Sequence, residues 1–240
     1  MPLTKTSRVV LLGATSGIGL AVARAAAQAG ASVIIGSRNP VSVERALGQL
    51  PDGITGHVVD ATSSESLAAF FDGVGPFDHF AYTAGDPLAG LPLADYTVEA
   101  GRSFLALRLV HALDAVRLAV PRLSGSGSVT LTSGTAAFKG GRGWTLGAAA
   151  SGAMVSVVRS LAVELAPIRV NAVAPGVVRS PLWSGLGEQE REAMYRATGE
   201  RLPLGRVAET GDVARAYLAL MDQDYVTGTV SVVDGGTLVA

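Results

Sequence analysis

The sequence predicts an α/β fold: a doubly wound parallel sheet of about seven strands with helices on both faces. Three observations carry this expectation. Short apolar, β-branched runs alternate with helix-like runs from one end to the other. That alternation means βαβ units, and βαβ units build parallel sheets. A glycine-rich turn joins the first strand run directly to the first helix run. The 240 residues suffice for one large core, and no linker, repeat or low-complexity stretch divides them. Residues 1–240 are therefore expected to form a single domain.

Arg8–Leu12 is short and apolar, as a strand buried on both faces should be. Gly17–Ala29 is Ala-rich, with Ile18, Val22 and Ala25/Ala26 at helical spacing, and Gly30 closes it. Ser32–Gly36 is the second strand. Val41–Leu50 is helical and stops before Pro51. Gly56–Val59 is the third strand. Ser63–Asp72 is helical, with Ser63 or Ser64 as its N-cap. Asp78–Tyr82 and Ser128–Thr132 are the fourth and fifth strands, with one long helix, roughly Glu99–Leu123, between them. A helix at roughly Leu146–Leu165 precedes the sixth strand, Ile168–Ala172. A polar, helix-prone insert runs from Trp183 to Glu200. A short helix at about Thr210–Met221 leads to the last strand, Thr229–Val233.

Composition narrows the function classes. The formal charge is −1, which gives no basic surface for nucleic acid or a membrane. Only 16% of residues are charged and 48% are hydrophobic, so part of the burial is expected between subunits. There is no cysteine, which excludes disulfide and thiolate chemistry. His57, His79 and His111 lie far apart, without metal-ligand spacing, so no metal is expected. No signal-peptide pattern and no uninterrupted apolar span of about 18 residues occurs, which points to a cytoplasmic protein.

Gly13-Ala-Thr-Ser-Gly17-Ile-Gly19 follows the first strand and opens the first helix. In that context Gly13 permits a tight turn, Gly17 lets backbone approach a pyrophosphate, and Gly19 lets helix pack close to strand. Free amides of Gly17, Ile18 and Gly19 at the helix start then face the anion. The expected ligand is a dinucleotide, on a Rossmann-type fold. A carboxylate at the end of the second strand would select NAD by accepting from the ribose 2′-hydroxyl. Ser37 holds that place, followed by Arg38. A neutral side chain removes repulsion, and a guanidinium fork can pair with a 2′-phosphate. Ser16, in the turn, offers a hydroxyl to the same phosphate, and Thr15 is a further cofactor-binding candidate. The cofactor expected is NADP(H).

The spacing of the turn resembles that of the short-chain dehydrogenases/reductases, although Leu12 replaces their usual threonine. The resemblance runs the full length. Val59-Asp60, with Ala61, resembles the family's adenine-contacting strand end. Tyr82-Thr83-Ala84-Gly85 stands where the family has Asn-Asn-Ala-Gly. The stretch Arg159 to Gly176, including Pro175, is similar throughout. Val178 and Ser180 fall where the family holds the nicotinamide carboxamide. Pro203-Leu-Gly-Arg and Val232-Val-Asp-Gly-Gly236 match C-terminal signatures. The resemblance implies subunit pairing into a homodimer or homotetramer, and a small-molecule substrate. It also implies that residues 183–200 are the variable substrate lid, with Trp183 as a pocket wall.

The same resemblance implies a catalytic set: a tyrosine as acid or base, a lysine four residues on, a serine on the substrate oxygen, and an asparagine in a relay. None stands in its place. The tyrosine position falls on Gly147 and the lysine position on Ser151. The serine position falls on Gly134, beside Ser133. The asparagine position falls on Arg108. The two lysines are Lys5 and Lys139, and no tyrosine is followed four residues later by lysine. Arg108, Ser133 and Ser151 are the replacement candidates. Arg108 can stabilise developing negative charge but cannot act as acid or base. Thr135, Lys139 and His111, three residues beyond Arg108, are further neighbours to be placed. The expected function is NADP(H)-dependent hydride transfer to or from a carbonyl, alcohol or activated alkene by a non-standard route. The alternatives are a cofactor-loaded sensor or interaction protein without turnover, and a non-redox enzyme on the same fold.

Overall fold

The computed structural model describes residues 3–88 and 90–240. Met1, Pro2 and Ala89 lie outside the described residues. The chain opens with β1 (Arg8–Leu12), α1 (Gly17–Gln28), β2 (Ser32–Ser37), α2 (Pro40–Leu47), β3 (Thr55–Val58), α3 (Ser64–Val74) and β4 (Phe77–Tyr82). There follow α4 (Val98–Leu105), α5 (His111–Ala119), β5 (Leu123–Thr132), α6 (Thr145–Glu164) and β6 (Arg169–Pro175). The chain closes with β7 (Val178–Arg179), α7 (Glu188–Gly199), β8 (Ala208–Glu209), α8 (Thr210–Asp222) and β9 (Val230–Val233).

Seven strands form one sheet in the order β3-β2-β1-β4-β5-β6-β9, and every pairing in it is parallel. The register aligns Arg8–Leu12 with Ser32–Gly36 on one side of β1, and Val9–Leu12 with His79–Tyr82 on the other. Side chains alternate across the pleat. Val10 and Leu12 enter the core with Phe70, Phe71 and Phe80. Val9 and Leu11 enter the opposite core with Val22, Ala26 and Tyr217. Both faces are covered, and this is why β1 is apolar at successive positions rather than at every second one. Helix starts follow the local signals. Ser63 caps α3 by accepting from the Ser66 amide, and Asn39 caps α2 ahead of Pro40.

The structure corrects the sequence reading in three places. The long helix expected at Glu99–Leu123 is two helices joined by a π-helical turn over Ala106–Val110. The Tyr82 hydroxyl donates to the Leu107 carbonyl at 2.8 Å, so a side chain from β4 engages the wider turn. β5 begins at Leu123, five residues earlier than expected, because Phe77 pairs with Leu123 before a register shift. A second, two-stranded sheet, β7–β8, was not anticipated; two-residue strands carry no periodicity to detect. It anchors both ends of the segment containing α7.

Two buried polar groups tie the layers together. The Arg169 guanidinium donates to the carbonyls of Leu220 and Met221, at 2.6 and 2.9 Å, and so closes the last turn of α8. His79 is fully buried on β4, with Nδ1 2.8 Å from the Ser128 hydroxyl. Burial, helped by the Arg169 charge, lowers the His79 pKa to about 4. The folded protein holds the imidazole neutral, and the unfolded chain binds its proton near pH 6.5. Stability is therefore full above pH 6.5 and falls as pH drops toward 4, by about 3 kcal/mol in all. Urea titrations from pH 7 to pH 4 should show this loss in the native protein and a smaller one in His79→Gln, measured against each protein's own value at pH 7.

Candidate active site

Strand order reverses between β1 and β4, and a crevice opens there at the carboxyl ends of the strands. It has a volume of about 840 Å³, within the usual range for cofactor and ligand sites. One end is built by the glycine turn. Gly13 has φ +84°, a value that L-residues rarely adopt, and a Cβ there would lie 2.4 Å from the Ala84 amide nitrogen. A Cβ on Gly19 would lie 2.4 Å from both the Gly13 carbonyl oxygen and the Thr83 hydroxyl. Both glycines let the end of β4 press against the turn. Gly17 differs: a Cβ there would meet nothing closer than 3.6 Å, so this position opens toward the cleft. The first-turn amides of α1 have no intrahelical acceptor, the Ser16 side chain does not cap them, and no acidic residue sits in that turn. They offer an anion-binding tip with nothing competing for it.

Thr15, Ser37 and Arg38 stand together beside this tip. The Thr15 hydroxyl donates to the Ser37 hydroxyl at 3.2 Å. Arg38 is exposed and makes no hydrogen bond or ion pair among the described residues. On the neighbouring wall the Asp60 carboxylate accepts from the Thr62 amide and hydroxyl. These bonds, with Arg38 adding its charge, hold the Asp60 pKa below the usual carboxylate value. Ala61, Ala84, Gly85, Pro175, Gly176 and Val178 also line the crevice. At its far side the Ser180 hydroxyl is buried and has no hydrogen-bond partner among the described residues. A buried hydroxyl without a partner costs stability unless a bound group supplies one. The crevice therefore fits a dinucleotide on three counts: a bare helix tip, a free guanidinium, and an orphaned hydroxyl opposite them.

Arg108, Ser133 and Ser151 also line the crevice, and the fold brings them there from three elements. Their environments differ. The Arg108 guanidinium donates to the Asp86 carbonyl and lies 4.2 Å from the centroid of the Phe104 ring. Burial lowers its pKa from the ordinary value, partly offset by the nearby Asp86 and Tyr82. The Ser133 hydroxyl donates to the Ser151 carbonyl at 2.9 Å, so its proton is already committed. The Ser151 hydroxyl faces Gly134: a Cβ at Gly134 would lie 3.1 Å from it. Tyr82 is the one tyrosine among the described residues that line the crevice. It is no proton donor, because its hydroxyl is spent on the Leu107 carbonyl and burial raises its pKa. Thr135 lines the crevice.

Other sequence-based candidates fall elsewhere. Lys139 borders the crevice, but its ammonium donates to the main-chain oxygens of Thr237 and Ala240, at 2.8 and 2.7 Å. His111 does not line it. The π turn carries residues beyond Val110 off the face expected for an unbroken helix, and His111 instead lies near Asp60 and Asp114. Trp183 is a wall of the crevice and is buried, with its indole N–H donated to the Val178 carbonyl at 3.0 Å. Trp183 and Tyr195 of the segment 183–200 form a small core with Val207 beyond it, and Leu186 and Met194 pack on it. Sequence reasoning missed Phe104, Trp144 and Asp86. A Cβ on Gly147 would lie 3.2 Å from the Trp144 ring, so that indole occupies the space beside the glycine, edge-on to Trp183 at 5.8 Å. The signal was present, since Trp144 stands only three residues before the anomalous glycine.

Strand order and crevice together define a Rossmann-type α/β protein with room for a nucleotide at its switch point. A family model described as enoyl-(acyl carrier protein) reductase matches residues 13–237. The chain belongs to the short-chain dehydrogenase/reductase family of oxidoreductases. It is 33% identical to short-chain dehydrogenase/reductase ucsE of Acremonium sp, over 97% of this chain and 95% of that protein. It is 34% identical to cis-4-hydroxycyclohexanecarboxylate dehydrogenase of Sinomonas cyclohexanicum, over 95% of this chain and 94% of that one. Among solved structures, MalC reductase/Diels-Alderase from Malbranchea aurantiaca superposes with a TM-score of 0.90 at 30% identity, covering 99% of this chain and 98% of that one. A small-chain dehydrogenase in complex with NADPH superposes with a TM-score of 0.83 at 32% identity, covering 98% of this chain and all of the other.

Proposed function

We propose that the chain is an NADP(H)-dependent oxidoreductase that acts on a carbonyl, alcohol or activated alkene without the tyrosine–lysine pair. The observation that carries this reading is the bare tip of α1 beside the free Arg38 guanidinium, at one end of a crevice whose other end has Gly147 and Ser151 where the family resemblance implies tyrosine and lysine. NADPH, when bound, supplies the hydride. The amides of Gly17, Ile18 and Gly19 hold its pyrophosphate, while Arg38, Ser37, Thr15 and Ser16 hold the 2′-phosphate. Asp60 and Ala61 border the adenine, and Val178 and the unpaired Ser180 hydroxyl take the carboxamide. Ala84, Gly85, Pro175 and Gly176 shape the remaining wall. Arg108 offsets negative charge on the substrate oxygen, Ser151 orients that oxygen or the ribose, and Ser133 positions Ser151 through its carbonyl. The proton comes from water, because the phenol and the amine that line the crevice among the described residues, Tyr82 and Lys139, already donate to main-chain oxygens.

Calorimetry tests the cofactor assignment. NADPH should bind at least tenfold tighter than NADH. Arg38→Ala should lose about tenfold in NADPH affinity, the worth of one charge-assisted contact, with NADH unaffected. Equal affinities in the native protein would remove the NADP assignment. A second reading, a non-redox cyclisation in the same crevice, has one observation in its favour: the similar Malbranchea protein is called both a reductase and a Diels-Alderase. Turnover that persists with a redox-inert NADPH analogue would select it.

We also propose that the chain forms a cytoplasmic homo-oligomer and works as one domain, with 183–200 as a lid. α6 is 20 residues long and reaches a mean hydropathy of 1.5, which is apolar enough to cross a membrane by length and composition. It nevertheless flanks the sheet, with Ala150, Met154 and Val158 buried in the core. Its outer face is open, and Val163 is 82% exposed. A helix this apolar and this uncovered suits a subunit contact. Sedimentation at micromolar concentration should give a dimer or tetramer; a monomer would exclude the arrangement.

A further inference from the structure

A second cavity of about 250 Å³ adjoins the substrate end of the crevice. The two cavities share Pro87, Phe104, Trp144 and Gly147 as lining, whereas Leu91, Ala100 and Leu146 are among those that belong to the smaller one alone. No charged side chain lines it among the described residues. Its volume is ample for a ring, since about 150 Å³ of apolar cavity holds a benzene. The Trp144 indole lines both cavities, and three features suit it to act as a partition. It rests on Gly147, where the absence of a side chain leaves the passage narrow but unblocked, with 3.2 Å between a would-be Cβ and the ring. It packs against Gly141 on its other side, where a Cβ would lie 2.9 Å from Cδ1. Its indole N–H makes no hydrogen bond among the described residues, whereas that of Trp183 is fixed to the Val178 carbonyl. The far wall is held in place, because the Leu91 amide donates to the Gly143 carbonyl at 2.8 Å.

We infer that this annex receives an apolar, ring-sized substituent of the substrate, and that Trp144 is the specificity-determining residue that sets how large the substituent can be. The inference rests on the reading of the crevice as an oxidoreductase site and deepens it. Phe104 faces both cavities and carries the Arg108 guanidinium on its ring, so a substituent in the annex leaves the attached carbonyl beside that charge. The substrate class is thus an aryl or bulky alicyclic carbonyl compound, rather than a sugar or a short polar one. An unpaired indole N–H at the passage adds a donor for an acceptor atom on the linking portion.

Equilibrium dialysis of 2-acetylnaphthalene and 2-acetylanthracene against the full chain tests this, with and without NADPH. Ala100→Phe fills the annex from a wall that the main crevice does not share. It should weaken 2-acetylnaphthalene at least fivefold while leaving NADPH affinity unchanged by calorimetry. Trp144→Ala removes the partition and should bind 2-acetylanthracene at least fivefold tighter than the native protein does. Native-like affinity for both probes in both variants overturns the inference. Should Ala100→Phe not fold, Trp144→Ala decides alone, and an unchanged preference between the probes overturns the inference. A protein that binds the probes as expected but shows no heat with NADPH would sink the proposed function and leave the annex standing.

Discussion

Gly13→Ala is expected to yield protein that is barely folded and has no measurable cofactor affinity. The new methyl would sit 2.4 Å from the Ala84 nitrogen and 2.5 Å from its Cα, both main-chain atoms at the end of β4. Main chain just beyond a paired central strand, held where the Thr83 amide donates to the Leu12 carbonyl, cannot move aside as a flexible side chain can. The residue would also have to hold φ +84°, at about 1–2 kcal/mol for an L-residue. Overpacking typically adds about 1–3 kcal/mol. A sum of about 4 kcal/mol is a large fraction of the roughly 5–15 kcal/mol that holds a domain together. Gly17→Ala separates the two roles of the turn. Its methyl would meet Pro181 and Ser180 only at 3.6 and 3.7 Å, so the cost is mainly that of φ +56°, about 1 kcal/mol. The variant should fold, with its methyl standing where the pyrophosphate approaches, and should lose at least thirtyfold in NADPH affinity. Urea unfolding and calorimetry on the two variants read these effects separately. A native unfolding midpoint for Gly13→Ala would show that the strand ends are not packed as described.

Arg108→Leu is expected to lower kcat/KM by about 100- to 1,000-fold with the best substrate from a panel of aryl aldehydes and ketones. That is the usual cost of removing one preorganised group from a developing oxyanion. Leucine keeps contact with the Phe104 ring and does not line the cofactor end, so the NADPH dissociation constant should stay within twofold. Arg108→Lys should recover only part of the loss. An ammonium cannot lie flat over Phe104 while also donating to the Asp86 carbonyl, as the guanidinium does. The arginine stays charged across the working range, so the native rate should show no step attributable to it between about pH 6 and 9. A variant with native kcat/KM would reduce Arg108 to a helix-packing residue.

The fold was legible because its signals are local. Buried parallel strands read as apolar runs, the helices as repeats near 3.6, and the glycine turn joins β1 to α1 within seven residues, Gly13 to Gly19. Once that topology is fixed, the strand ends converge on one crevice, so Arg38, Asp60, Ala84 and Ser180 could be named together although they are far apart in sequence. Their convergence follows from βαβ handedness, not from any contact visible in the sequence. Corrections came where a side chain met a partner distant in the chain. The Tyr82 hydroxyl reaches Leu107, Lys139 reaches Thr237, and Ser133 spends its proton on Ser151. The sequence alone determined that a glycine turn joins β1 to α1 and that no tyrosine is followed four residues later by a lysine, since each is a question of which residue stands at a given spacing. Only the tertiary structure decided what fills the space left behind: an indole resting on Gly147 and a guanidinium stacked on Phe104. Packing around a missing side chain depends on neighbours that the chain brings together only on folding, so one-dimensional spacing could not foretell it.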